Sequence, residues 1–166
     1  FPRASKDRRH DGRGFTLMEL LITVAILAIV ALIAVPSFQR IAINSNLKTA
    51  VRDIASDFAL YKERAIAENR MYQIVLNVAG GTYNIQQCGA TGSVCVGGYN
   101  SIQVKNLTQY ASDIIFNSGA TTVTTYFFQT RGTVTNGTIG LGNSRNSTGT
   151  IRINITGRTN VQFILQ

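Results

Sequence analysis

Residues 13 to 38 read Arg13-Gly14-Phe15-Thr16-Leu17-Met18-Glu19-Leu20-Leu21-Ile22-Thr23-Val24-Ala25-Ile26-Leu27-Ala28-Ile29-Val30-Ala31-Leu32-Ile33-Ala34-Val35-Pro36-Ser37-Phe38. From Leu20 to Gln39 there are twenty residues without a charge. At ~1.5 Å of rise per residue they make a helix of about 30 Å, the thickness of a bilayer's hydrocarbon core. One carboxylate, Glu19, stands at the front edge of the run. An ionisable group there is costly and calls for a partner. Ahead of the run, residues 1–14 hold Arg3, Lys6, Arg8, Arg9 and Arg13 against Asp7 and Asp11, five cations less two acids, a net +3. Positive charge before the first apolar helix keeps that end cytoplasmic. The apolar stretch is too long for the core of a cleaved signal peptide, and no small-residue cleavage site follows it. An ordinary signal anchor is the alternative reading.

Beyond Pro36 the apolar residues become one-sided. Leu47, Val51, Ile54, Phe58, Tyr61 and Ala65 recur at spacings of 4, 3, 4, 3 and 4, which puts them on one helical face. Lys48, Arg52, Asp53, Lys62, Glu63 and Arg70 mostly fall elsewhere on the wheel. The pattern predicts one long helix from about Thr16 to Asn69. Pro36 removes one backbone N–H and is expected to kink or loosen it locally. The stripe lasts under three heptads, so it is expected to pack on the protein's own sheet rather than in a coiled coil.

After Arg70 the period changes to two. Short β-branched strands are predicted at 71–77, 82–87, 102–106, 114–117, 122–130, 137–141, 150–156 and 159–165, separated by Gly, Asn and Ser. Val78-Ala79-Gly80-Gly81 and Thr156-Gly157-Arg158-Thr159 read as hairpin turns. The fold class is α+β: a long N-terminal helix, one half membrane-spanning and one half amphipathic, packed on a C-terminal antiparallel sheet or sandwich. The expected segments are a basic leader (1–14), a membrane helix (15–39), an amphipathic helix (40–70) and a β-rich domain (71–166).

Charged residues make up only 14% of the 166, with a net charge of +8. From Met71 onward the charges are Lys105, Arg131, Arg145, Arg152 and Arg158 against Asp113 alone. Such mild basicity either serves solubility or attracts a polyanion such as DNA, and the four arginines are the candidates for that contact. The only histidine, His10, lies in the leader. The β-rich region therefore has no carboxylate pair and no Ser–His or Cys–His couple. Gly137-Thr138-Ile139-Gly140-Leu141-Gly142 lacks the Gly-Lys-Ser/Thr ending of a nucleotide loop. No catalytic residue, metal or cofactor is expected. Cys88 and Cys95 lie in a Gly-rich stretch with six residues between them. In an oxidising compartment they are expected to pair, which gains about 2–3 kcal/mol for so short a loop. Two thiolates without nearby His or carboxylate do not complete a tetrahedral metal site.

The stretch from Gly14 to Pro36 resembles the N-terminus of type IV pilins and of the pseudopilins of type II secretion. The resemblance rests on Gly14, then Phe15-Thr16-Leu17-Met18-Glu19, then an apolar helix with Pro36 at its twenty-second position counted from Phe15. It implies cleavage by a prepilin peptidase between Gly14 and Phe15, N-methylation of Phe15, and an assembly role for Glu19 and Pro36. Glu19 of one subunit would meet the Phe15 amine of its neighbour; the competing reading is that it snorkels to lipid headgroups. The implied partners are other pilin or pseudopilin subunits, the prepilin peptidase, an inner-membrane assembly platform and the bacterial inner membrane. The implied location is single-pass in that membrane with a periplasmic C-terminal domain, then a pilus or pseudopilus.

The remainder resembles the GspH/FimT-like minor subunits. That resemblance rests on Arg52 and Asp57, on Tyr61-Lys62-Glu63-Arg64-Ala65 leading to Arg70, on Phe128 and Gly132, and on Gly157-Arg158. It implies a non-catalytic filament subunit that primes or caps a type IV pilus or a type II secretion pseudopilus. Two alternatives stand beside it: a DNA-binding minor pilin of natural transformation, and a major pilin. In the DNA-capturing relatives a second basic residue follows Gly-Arg after one intervening position. Here Asn160 stands in its place. A disulfide loop far from the C-terminus speaks mildly against a major pilin.

Overall fold

The computed structural model describes residues 15–166; the leader, and with it the expected cleavage residue Gly14, lies outside the described residues. The chain divides into two compact units, residues 1–39 and 40–166. In the described part of the first, helix α1 (Leu17–Ala67) begins. Thr16 caps it: its Oγ1 accepts the Glu19 N–H at 3.2 Å, and its carbonyl accepts the Leu20 N–H at 3.1 Å. A Thr three residues before a Glu is the sequence form of a capping box. The helix continues through position 36.

In the second unit α1 runs on to Ala67 and stops where Asn69 adopts a left-handed φ of 47°. Asn is one of the few residues that tolerate this helix-ending conformation. Eight strands follow: β1 (Arg70–Asn77), β2 (Thr82–Thr91), β3 (Tyr99–Asn106), β4 (Ile115–Phe116), β5 (Thr125–Phe128), β6 (Gly137–Gly142), β7 (Thr148–Ile153) and β8 (Thr159–Ile164). They form two four-stranded antiparallel sheets, ordered β3-β2-β1-β5 and β4-β6-β7-β8.

All six residues of the 4-3 stripe are buried, as expected of a helix covering sheet. They reach both sheets. Phe58 lies 5.0 Å, edge to face, from Tyr126 and 5.3 Å from Phe128 on β5, and Tyr61 lies 5.5 Å from Tyr72 on β1. Each such aromatic pair adds about 0.5–1.5 kcal/mol beyond the area it buries. Toward the other sheet, Val51 packs so close to β7 that a Cβ on Gly149 would fall 2.5 Å from its Cγ2. Only glycine fits there.

Several strand limits differ from expectation. Residues 122–124 leave β5 because Thr122 donates to Thr138 O at 3.0 Å, so that stretch pairs with β6 before the chain crosses to β1. β7 ends at Ile153 because Asn154 turns the chain: its Oδ1 accepts from Arg158 N at 2.9 Å and from Thr156 Oγ1 at 2.8 Å. β2 and β3 are longer than expected because the hairpin continues to the pair Cys88–Tyr99. Cys88 and Cys95 are disulfide-bonded, with Cα atoms 5.6 Å apart.

Candidate functional site

The first candidate surface is the start of α1. Phe15, Leu17, Met18, Leu20, Leu21, Ile22, Val24, Ile26, Leu27, Ile29, Val30 and Leu32 are all exposed. A helix apolar on every side is stable only in lipid or among other helices. Covering each such side chain returns about 1.5–3 kcal/mol. α1 is the one described helix long and apolar enough to cross a membrane. Glu19, also exposed, is its only acid in the first turn.

The second is a charged cluster inside the β domain. Asp57 lies on α1 between the stripe residues Ile54 and Tyr61 and is only 6% exposed. Lys105 of β3 donates to its two carboxylate oxygens at 2.9 and 2.8 Å, and to Asp53 at 3.4 Å. Tyr83 of β2 donates to Asp57 at 2.7 Å. Tyr110, just past a short 3-10 turn (Leu107–Gln109), donates to Asp53. The cluster ties the helix to two neighbouring strands and to the connection after them. Sequence reading noted Asp57 only as part of a motif and assigned Lys105 no partner. The available signal was that Lys105 is the one lysine after Arg70 and that Asp57 interrupts a buried stripe.

Burial raises the Tyr83 hydroxyl's pKa, and the bond to Asp57 raises it further. Burial and Asp53 do the same to Tyr110. Tyr72 is pushed up to about 12 by burial and by its bond to Glu68, and Tyr126 to about 12 by burial. Burial pulls the Lys105 ammonium down, but Asp57 and Asp53 outweigh it and the net shift is upward. In each case the folded state holds its proton to higher pH than the unfolded chain. The stability these groups contribute is therefore complete below the unfolded values near 10 and is lost as pH rises beyond them. The urea midpoint is expected to hold steady from neutral pH to about pH 9 and to fall above about pH 10, in step with late tyrosinate absorbance. A midpoint unchanged to pH 12 contradicts this.

The third is the set of arginines. Arg152 and Arg158 line one shallow groove of about 280 Å³ with Asn154 and Asn160. Arg152 stands opposite Asn160 in the β7–β8 ladder. Arg131 lines a separate depression, where its Nε donates to Gln129 at 2.8 Å. Arg145 sits in the β6–β7 loop, at the other end of β7, with its Nε buried and unpartnered. So the fold brings together two of the four. Gly157, before Arg158, has a φ of +73°, and a Cβ there would fall 2.7 Å from Lys62 of α1. The Gly-Arg pair thus anchors the last hairpin against the helix and leaves Arg158 exposed.

Among the described residues no group of three or more His, Cys, Asp or Glu is placed to hold a metal. The profile of the family described as Type II transport protein GspH matches residues 50–157, which contain the charged cluster and end at Gly157. The chain belongs to the GspH family. The Prokaryotic N-terminal methylation motif matches residues 9–35. Two solved structures share the fold. The minor pseudopilin EpsH from the Type 2 Secretion System of Vibrio cholerae matches at a TM-score of 0.55 and 14% identity, over 70% of this chain and 96% of that one. The type IV minor pilin FimU of Pseudomonas aeruginosa matches at 0.53 and 16%, over 72% and 90%. The GspH fold here is therefore the pilin-like one: a long N-terminal helix packed on antiparallel sheets.

Proposed function

We propose that the protein is a minor pilin or pseudopilin, a non-catalytic subunit that primes or caps a type IV pilus or a type II secretion pseudopilus. A prepilin peptidase cuts between Gly14 and Phe15, and Phe15 is N-methylated. The residues 15–39 hold the subunit in the bacterial inner membrane, with 40–166 in the periplasm, until the assembly platform draws it into the filament. Glu19 then pairs with the Phe15 ammonium of a neighbouring subunit. The observation that carries this reading is a first stretch of α1, residues 17–32, exposed on every side with one acid at its capped start, in a chain of the GspH family. Mass spectrometry of the protein from its natural host should find a chain beginning with methylated Phe15. Gly14→Ala should leave the longer, uncleaved form. Normal processing of that variant would refute the leader assignment.

A second reading, DNA capture, is favoured by one observation: Arg152 and Arg158 share a groove with two amide side chains. Phosphate contacts by two arginines predict binding that weakens steeply with salt, with a log–log slope near −2. A gel shift at low salt that disappears in Arg152→Gln/Arg158→Gln is the expected result. No shift at low salt refutes it.

A further inference from the structure

We infer that the protein holds an anionic phospholipid headgroup at the point where α1 leaves the bilayer. The inference rests on the reading that residues 15–39 cross the membrane. A groove of about 350 Å³ is lined by Arg40, Ile41, Asn44, Ser45, Lys48 and Leu165. Arg40 is the first charge after the uncharged run, so its guanidinium stands at headgroup level. Headgroups occupy roughly the outer 5–7 Å of each leaflet. Lys48 lies about 12 Å further along the helix axis. Helical side chains lean toward the N-terminus, here toward the lipid, and a lysine stem carries its charge along that direction.

The lining suits one kind of ligand. Two cations face a phosphate, the exposed Ser45 offers a polar contact to glycerol, and the exposed Ile41 and Leu165 give an apolar wall for the start of an acyl chain; Asn44 is bonded to Gln166, Asn143 and Ser147 and shapes the groove from within. Neither cation is already used: among the described residues the ion pairs are Lys62–Glu63 and Lys105 with Asp53 and Asp57. The nearest acids along the helix, Asp53 and Asp57, are engaged by Lys105. Cations next to a bilayer are attracted to anionic headgroups, and an arginine and a lysine within one groove act together.

The test uses the full-length chain in nanodiscs of mixed phosphatidylglycerol and phosphatidylcholine, released into a native mass spectrometer. The wild type is expected to retain phosphatidylglycerol in preference. Arg40→Gln/Lys48→Gln is expected to lower that preference on the order of thirtyfold. Arg52→Gln/Arg64→Gln removes equal charge from exposed positions further along α1, outside the groove, and is expected to keep it. An unchanged preference in the first variant, or an equal loss in the second, overturns the inference. Insertion without any preference overturns it while leaving the membrane reading intact; failure of the wild type to insert at all removes both. If preference is unchanged and the first variant instead fails to enter filaments, the groove belongs to a protein partner, and the lipid assignment is wrong.

Discussion

Asp57→Ala is expected to destabilise the β domain by about 3–5 kcal/mol, the cost of leaving a buried charge without its partner. Lys105 keeps only 17% of its side chain exposed, and Asp57 only 9%. Removing the carboxylate strands the ammonium and also orphans the Tyr83 hydroxyl, which donates to it. Typical domains have about 5–15 kcal/mol in total, so the loss is a large part of the whole. Asp53 does not substitute, because it lies further from Lys105 and is 41% exposed, where ion pairs contribute little. The companion variant separates the ion pair from simple packing. Asp57→Leu/Lys105→Met replaces both partners by apolar groups and is expected to recover most of the loss. Urea unfolding followed by tyrosine fluorescence measures both. A cost for Asp57→Ala below about 1 kcal/mol, or no recovery in the double variant, would refute the cluster as the tie between helix and sheet.

Glu19→Ala is expected to reduce entry into filaments on the order of thirtyfold or more, since truncating one member of a desolvated charge pair costs about 2–5 kcal/mol. The helix itself should be little affected. The capping bond runs from the Glu19 backbone N–H to Thr16 Oγ1 and survives the substitution. A loss of incorporation with unchanged helicity and unchanged membrane insertion therefore reports the carboxylate alone. Glu19→Gln keeps the shape and removes the charge, and should behave like Ala. Co-sedimentation of the variant with filaments at the wild-type level would end the pairing proposal.

Periodicity made most of this fold readable in advance. A twenty-residue uncharged run, then a 4-3 stripe, then alternation at period two each report which faces must avoid water, and the helix and all eight strands follow from them. Where the reading stopped, contacts between distant residues had taken over. Thr122 has ordinary strand character, but its backbone N–H donates to Thr138 of β6 rather than to β1, so the strand β5 starts later than expected. The Lys105–Asp57 pair spans 48 residues and has no local pattern to announce it. The arginines looked equivalent along the chain. Only the order of strands separates Arg145, beside the start of β7, from Arg152 and Arg158 at its far end.

The contacts of α1 with two different sheets decide how the subunit bears traction. A lengthwise pull on the helix loads Phe58 against Tyr126 and Phe128, Asp57 against Lys105, and Val51 against Gly149 simultaneously. The amphipathic stretch of α1 is thus built to move with both sheets as one body.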